Sequence, residues 1–461
     1  MKITCLGAGR SGLAAAKLAR SHNYDVFLSE FYQIEKFPNI KNELDELNIK
    51  YEFGGHSSKI ILNSDLVVCS PGIKPTTEII KQIKNKGIKL ISEIEFASSF
   101  VQNQIIAVTG TNGKTTTVSL IDYSLNRCGK KSHLLGNVGM PFSTSVDNIN
   151  QDDIITLEVS SYQLDNIVDF RPNVSIFLNI TEDHIAYHGS FPHYFDAKWK
   201  ITKNQTPNDL LILNVDDKEI MQRLEVGGHS TKAKLSAIST NPELILSDKF
   251  TDGIYSDGDK IYFFKMQQFG LPIRLQDKEE IMQVSQLALP GVHNLYNSMA
   301  AAIALRRFEI TNEDLRDCLS TFQGVEHRLE YVRTIGKNDY INDSKATNVN
   351  AAWYALSSYE RPITWIIGGQ GDNDYNELLE IAKKKVSKIV TFGEEANNIF
   401  NFFSEHFETY KLNDLEESIL KAKEISNANE VILFSPACKS FDQYTNFAER
   451  GQHFKTIVNS L

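Results

Sequence analysis

The sequence predicts an α/β protein of three consecutive domains: Rossmann-like at the N-terminus, a central P-loop-type mononucleotide-binding unit, and Rossmann-like again at the C-terminus. Three observations carry this. A glycine-rich turn, Gly7-Ala8-Gly9-Arg10-Ser11-Gly12, follows directly on an apolar first strand. A second strand, Ile105 to Val108, runs into Gly110 and Gly113 and then Lys114 and Thr115. From Ile363 onward, short apolar runs again alternate with helical stretches, as in a buried parallel sheet. At 461 residues the chain has room for about three domains of ordinary size, here expected at 1–98, 99–324 and 325–461.

The first domain opens with a strand, Ile3–Leu6, the glycine turn, a helix from Leu13 to Ala19, and a strand, Asp25–Leu28, that ends at Ser29 and Glu30. An acidic residue about 20 positions beyond the glycines is what a dinucleotide fold places there. Two readings stay open on these residues: a nicotinamide site, or a phosphate-tolerant Rossmann-like turn with no nicotinamide. Leu66–Cys69 is the next strand, and Ser70, Pro71 and Gly72 sit at its end, on the rim where such sheets bind ligands. Ile88–Ile91 reads as the last strand, with a linker near Phe100–Gln104.

The central domain is organised around Gly110-Thr111-Asn112-Gly113-Lys114-Thr115-Thr116. Beyond it Val118, Ile121 and Leu125 fall on one helical face. Strand, glycine turn and helix N-terminus together make an anion site. Backbone N–H groups point at phosphates, the lysine reaches the outer ones, and a hydroxyl can hold Mg²⁺. The loop is shorter than the usual phosphate loop, because position 108 is valine. We read it as an ATP site, against the plainer alternative of a tight strand–helix turn with a solvated lysine.

Two further strands are expected, Ile154–Leu157 ending at Glu158, Ser160 and Gln163, and Val174–Leu178 ending at Asp183 and His184. Gly136-Asn137-Val138-Gly139 lies before the first. Their polar ends share a rim with the glycine loop. A helix beginning at Tyr194 carries Lys198, and Ile254–Tyr255 with Lys260–Phe264 reads as a hairpin. Residues 226–285 receive no functional assignment. Asn294 and Asn297 open an alanine-rich helix, one turn apart.

In the third domain Ile363–Ile367, Lys388–Phe392 and Val431–Phe434 are the expected strands. The turn Gly368-Gly369-Gln370-Gly371-Asp372 and the segment Ser435–Ser440 lie at strand ends, and Asn342–Asn348 comes just before the first strand.

Glu158 and Thr115 are placed to hold Mg²⁺, an ion that takes oxygen ligands and keeps several waters. His184 is a candidate ligand or a structural histidine. An ammonium cannot bind Mg²⁺, but a neutral Lys198 amine can be carbamylated by CO₂ to give a carboxylate; the plainer reading is a solvated lysine. Arg328 and Asp343 are candidates to reach a nucleotide across a domain boundary, and otherwise ordinary surface residues.

The net charge of −10 argues against a nucleic-acid surface. Five scattered cysteines without a CxxC fit a reducing cytosol. No apolar run reaches membrane-spanning length, and the first strand begins at once, so no signal peptide is expected. The expectation is a soluble, cytoplasmic, monomeric protein without membrane or nucleic-acid partners.

Taken together, Gly110–Thr116, Glu158–Ser161, Thr181–His184, His293-Asn294 with Asn297, His327-Arg328 and Asn342–Asn348 resemble, in this order and spacing, the Mur ligases of peptidoglycan synthesis. Ser435–Gly451 and the Asp343-Ser344-Lys345-Ala346-Thr347-Asn348 phrase are similar to the D-glutamate-adding branch. The match runs from Gly7 to Phe454.

The resemblance implies an ATP-dependent amide ligase of cell-wall biogenesis, hence of cell shape and division. It would add D-glutamate to UDP-N-acetylmuramoyl-L-alanine through an acyl phosphate, with two Mg²⁺ ions and a closing third domain. It implies that the first domain takes the UDP end of the substrate instead of NAD, with Gly9, Ser11, Gly12, Ser70, Pro71 and Gly72 lining that pocket. Asn137, Ser160 and Gln163 would hold the muramoyl part. Lys114 and Thr115 match the loop residues, Glu158 the first Mg²⁺ ligand, and His184 with a carbamylated Lys198 the second metal site. His184 is also a candidate base for the amine. Asn294, Asn297, Arg328, Asp343 and Lys345 correspond to adenine, ribose and phosphate positions, and Thr347, Ser440 and Phe447 to the D-glutamate pocket.

One departure stands out. The family usually carries a lysine in the turn after the strand at 363–367, where it meets the glutamate side chain; here residues 368–375 contain none. Either another cation substitutes, Lys439 beside Ser440 being the candidate, or the amino acid is bound differently. Two rivals remain: a folylpolyglutamate synthase of the same superfamily, disfavoured by the 342–348 phrase, and an NAD-dependent oxidoreductase, which leaves Lys114, Glu158 and His184 without work.

Overall fold

Among the described residues three separate sheets form, of five, nine and six strands. The computed structural model describes residues 1–37, 40–226, 231–245, 249–265, 278–371 and 373–461. The chain folds as two compact units, Met1–Gln286 with Tyr296–Thr321, and Leu287–Leu295 with Phe322–Leu461.

The first sheet contains β1 (Lys2–Leu6), β2 (Asp25–Glu30), β3 (Lys50–Phe53), β4 (Leu66–Cys69) and β5 (Lys89–Ser92), in the order β3-β2-β1-β4-β5 and all parallel. The order reverses between β1 and β4, which opens a crevice beyond their C-terminal ends. The helix Arg10–Ser21 covers one face through Ala15, Ala16, Leu18 and Ala19.

In the same unit the second sheet holds β6 (Ile105–Thr109), β7 (Ser132–Gly136), β8 (Ile154–Glu158), β9 (Val174–Phe177), β10 (Leu210–Asn214), β11 (Lys234–Ser239), β12 (Asp252–Ser256), β13 (Lys260–Lys265) and β14 (Glu279–Gln283). Their order is β14-β13-β12-β11-β10-β9-β6-β8-β7. β6 is flanked by β8 and β9, both parallel to it and buried along their length, so the ends of all three share one rim. The expected hairpin is β12 and β13, antiparallel from Asp252↔Lys265 to Ser256↔Ile261.

The second unit holds β15 (Glu330–Ile335), β16 (Asn338–Asn342), β17 (Ile363–Gly368), β18 (Val386–Phe392), β19 (Glu408–Lys411) and β20 (Val431–Phe434), in the order β15-β16-β20-β17-β18-β19. Among the described strands of this sheet only β15 runs antiparallel, as an edge. Trp365 at the centre of β17 is fully buried, its indole N–H donating to Ser435 O at 2.8 Å.

The strands that sequence reasoning passed over are mostly edges. β3 (Lys-Tyr-Glu-Phe) and β19 (Glu-Thr-Tyr-Lys) carry charges and are only half-buried, as edge strands are. The helix expected to begin at Tyr194 begins at Phe191 instead. Ser190 caps it, accepting from His193 N–H at 3.4 Å, and Pro192 sits in its first turn.

Candidate active site

The glycine loop links β6 to the helix Lys114–Arg127. Gly113 precedes that helix with φ 85°, a left-handed geometry, and a methyl there would stand 2.3 Å from Asn297 Oδ1. Only glycine suits both demands. Asn179, just beyond β9, clamps the loop from below. Its carbonyl accepts from Thr111 N–H at 3.0 Å, its Oδ1 accepts from Asn112 N–H at 2.9 Å, and its Nδ2 donates to Asn112 O at 3.1 Å. Thr111 Oγ1 lies 3.0 Å from the Tyr194 hydroxyl. Lys114 Nζ folds over the loop, donating to Gly110 O and Thr111 O at 2.9 and 2.8 Å. Thr115 and Thr116 are buried in the first helical turn.

Glu158 ends β8 on the same rim. Its Oε1 accepts from Asn137 Nδ2 at 2.6 Å, and its Oε2 is buried without a hydrogen-bond partner. An unmatched carboxylate oxygen is costly to bury, and a divalent cation is a ligand that would satisfy it. Lys198 reaches the rim from the helix Phe191–Trp199, only 2% exposed, and donates to Gly110 O at 2.7 Å. Burial first, and then the charge of Lys114, push its pKa well below the ordinary lysine value, against the opposing pull of Asp183 and Glu158. Its amine is therefore driven toward the neutral form that adds CO₂. His184 takes a left-handed backbone (φ 56°), with Nδ1 3.2 Å from Asp183 Oδ1 and its ring 4.8 Å from that of Tyr162.

A cavity of about 900 Å³ opens at the β1–β4 crevice. Gly9, Ser11, Ser70, Pro71 and Gly72 line it, as do Asn137 and Gln163. Gly12 and Ser160 do not. A methyl on Gly12 would stand 1.9 Å from Gly7 O, so this glycine lets the helix approach the turn instead. Ser160 caps the helix Ser161–Asp165 in a reciprocal box with Gln163.

In the second unit Asp343 is 4% exposed. Its Oδ2 accepts from Ser435 Oγ at 2.7 Å and its Oδ1 from Leu329 N–H at 3.2 Å. Burial raises its pKa to about 6, with Arg328 pulling the other way. Lys345 Nζ lies 5.6 Å over the Phe447 ring. Ser440 is buried, and Thr347 half-buried. Asn297 belongs to the first unit, whereas Asn294 belongs to the second and donates to Pro290 O at 2.9 Å. Asp372 of the glycine turn lies outside the described residues.

Sequence reasoning missed Asn179 and Arg450 as framework residues. The asparagine stands just ahead of the Thr181–His184 phrase but outside it. Arg450 is fully buried, and only the fold shows that it ties two loops together, at Ser344 and at Cys438–Lys439. His293, beside Asn294, was also unassigned. Its Nε2 is buried without a partner and its ring is 3.7 Å from Tyr354.

Fold and site together define an α/β nucleotide-binding enzyme of three domains. Three family models match the chain: the MurD N-terminal domain over residues 2–79, the Mur ligase middle domain over 108–305, and the Mur ligase glutamate ligase domain over 327–438. The chain belongs to the Mur ligase family. It is 38% identical over 469 residues to UDP-N-acetylmuramoylalanine--D-glutamate ligase of Salinibacter ruber, covering 100% of this chain and 98% of that one. It is 37% identical over 470 residues to the enzyme of the same name in Bacteroides thetaiotaomicron, covering both chains completely. Among solved structures, UDP-N-acetylmuramate-alanine ligase MurC from Thermotoga maritima superposes with a TM-score of 0.57 at 20% identity, covering 100% and 99% of the two chains. That likeness speaks for the fold alone. Among the described residues no helix is long and apolar enough to cross a membrane.

Proposed function

We propose that this chain is an ATP-dependent ligase that joins D-glutamate to UDP-N-acetylmuramoyl-L-alanine in the making of peptidoglycan precursors. The observation that carries the reading is the buried, unmatched Glu158 Oε2 on the rim that also bears the Lys114 loop. Relatives bearing that activity in their names, similar along the whole chain, support the choice of substrates.

A free carboxylate does not condense with an amine at neutral pH, because oxide is a poor leaving group. The alanyl carboxylate would attack the γ-phosphorus of ATP, giving an acyl phosphate and ADP. The D-glutamate amine would then attack the acyl carbon; phosphate leaves, and the amine gives up a proton. Lys114 would offset charge on the transferring phosphoryl group. Thr115 and Glu158 would hold Mg²⁺, which supplies further charge neutralisation between the phosphates; His184 and a carbamylated Lys198 would hold a second ion.

Gly9, Ser11, Ser70, Pro71 and Gly72 are assigned to the UDP end. Asn137 and Gln163 take the muramoyl part, with Ser160 holding Gln163 in place. Asn294, Asn297, Arg328, Asp343 and Lys345 are assigned to the nucleotide, and Thr347, Ser440 and Phe447 to the amino acid. The domains are taken as 1–98, 99–324 and 325–461, and the enzyme as a cytoplasmic monomer.

The test is phosphate release from ATP with UDP-N-acetylmuramoyl-L-alanine while the amino acid is varied. D-Glutamate should support turnover and L-glutamate should not. Turnover with another amino acid and none with D-glutamate would overturn the reading. A nicotinamide absorbance change without ADP release would favour an oxidoreductase built on Gly7–Gly12.

A further inference from the structure

We propose that Lys439 supplies the positive charge that meets the side-chain carboxylate of the incoming amino acid, and so selects a dicarboxylic amino acid. The assignment rests on the ligase reading above. D-Glutamate brings two carboxylates that take no part in the bond-forming step, and each needs a cation or a set of donors once it leaves water.

Three neighbouring strands of the second unit, β16, β20 and β17, end in Asp343–Lys345, Ser435–Ser440 and Gly368–Gly371. Arg450 ties the first two of these loops together. Its Nε donates to Ser344 Oγ at 3.1 Å, its Nη2 to Ser344 O and Cys438 O at 2.9 and 3.0 Å, and its Nη1 to Lys439 O at 3.2 Å. With 0% exposure and these four bonds, its charge is committed inside the protein. The ammonium of Lys345 lies over Phe447.

Lys439 is placed differently. Its backbone is locked both ways to Gln370, N–H to O at 2.9 Å and O to N–H at 2.8 Å, as an antiparallel bridge. Directly opposed residues of such a pair put their side chains on one face, so Lys439 stands on the face of the glycine turn that carries Gln370. Gln370 itself is neutral and donates to Glu394 Oε2 at 2.9 Å. The nearby Asp442 is occupied by Glu394 N–H at 3.1 Å. Lys439 is exposed, and its ammonium makes no hydrogen bond or ion pair among the described residues. Ser440, next in the chain, is buried. A held backbone carrying an exposed, unspent cation is how a site presents charge to a carboxylate.

The experiment compares wild type, Lys439→Met and Lys439→Arg, full length, in phosphate release with D-glutamate and with D-glutamine, which lacks the second charge. In Lys439→Met the KM for D-glutamate should rise roughly ten- to a hundredfold, the worth of a charged hydrogen bond. The KM for ATP and for the UDP precursor should stay put. The preference for D-glutamate over D-glutamine should shrink by the same factor, and Lys439→Arg should restore most of it. A KM for D-glutamate within about twofold of wild type, the scale of a neutral surface change, would overturn the assignment. Wild type that releases no phosphate with D-glutamate would instead overturn the ligase reading, and the role of Lys439 with it.

Discussion

Lys198 Nζ donates a 2.7 Å hydrogen bond to the carbonyl oxygen of Gly110, which also accepts from Lys114 Nζ at 2.9 Å. Two lysines thus converge on one backbone oxygen, and the buried one is held toward neutrality by burial and by its neighbour's charge.

The pKa of Lys198 is depressed in the folded chain, so its stability contribution is greatest above the ordinary lysine value and is lost as pH falls through the folded one. Lys198→Met, which has no charge to desolvate, should be at least as heat-stable as wild type at neutral pH. Phosphate release should nonetheless fall by about a hundredfold, as for loss of a metal-site ligand. Wild type in ¹³C-bicarbonate should show a carbamate carbon signal that the variant lacks.

Glu158→Gln keeps an acceptor for Asn137 Nδ2 while removing the charge and the unmatched Oε2. Thermal stability should hold or rise. The Mg²⁺ concentration for half-maximal phosphate release should increase by about tenfold or more. A magnesium titration of both proteins checks this.

Gly113→Ala places a methyl 2.3 Å from Asn297 Oδ1 on a left-handed backbone, costing about 1–3 kcal/mol in strain. Affinity for a non-hydrolysable ATP analogue, measured by calorimetry, should fall by about tenfold, each factor of ten being about 1.4 kcal/mol.

For Asp343 the folded pKa is about 6 against an ordinary 3.8, so the folded state holds the proton more tightly. Its stability contribution is complete below 3.8 and is lost as pH rises through 6, at most about 3 kcal/mol. In Asp343→Asn, where the amide donates to Ser435 Oγ, that loss should vanish. The melting temperature of the variant minus that of wild type should therefore climb between pH 4 and 7, as scanning calorimetry across that range (roughly three units) would record.

Much of the fold was legible in the chain. β4, β17, β18 and β20 are runs of apolar and β-branched residues with a turn residue at the end, and the Gly110–Lys114 phrase announces its helix. β3, β15 and β19 were not legible, because an edge strand exposes one side and so carries charges that blur its period. Of the proposed site residues, Glu158 was legible as a candidate because it ends a readable strand, and His184 because it lies in the loop that follows one. Asn179 and Arg450 were not, because their work is to bond backbone groups far away in sequence.

By itself, the sequence determined which groups can act: a glycine loop with its lysine, carboxylates at strand ends, and a glycine-rich turn lacking a cation. Those are properties of residue type and local spacing. Only the tertiary structure decided the state of those groups. Lys198 is pushed toward its neutral form because the fold buries it beside Lys114, Glu158 is left with an unmatched oxygen, and Lys439 is set opposite Gln370. Solvation, charge and pairing depend on what surrounds a side chain, and those surroundings come from segments that meet only when the sheets close.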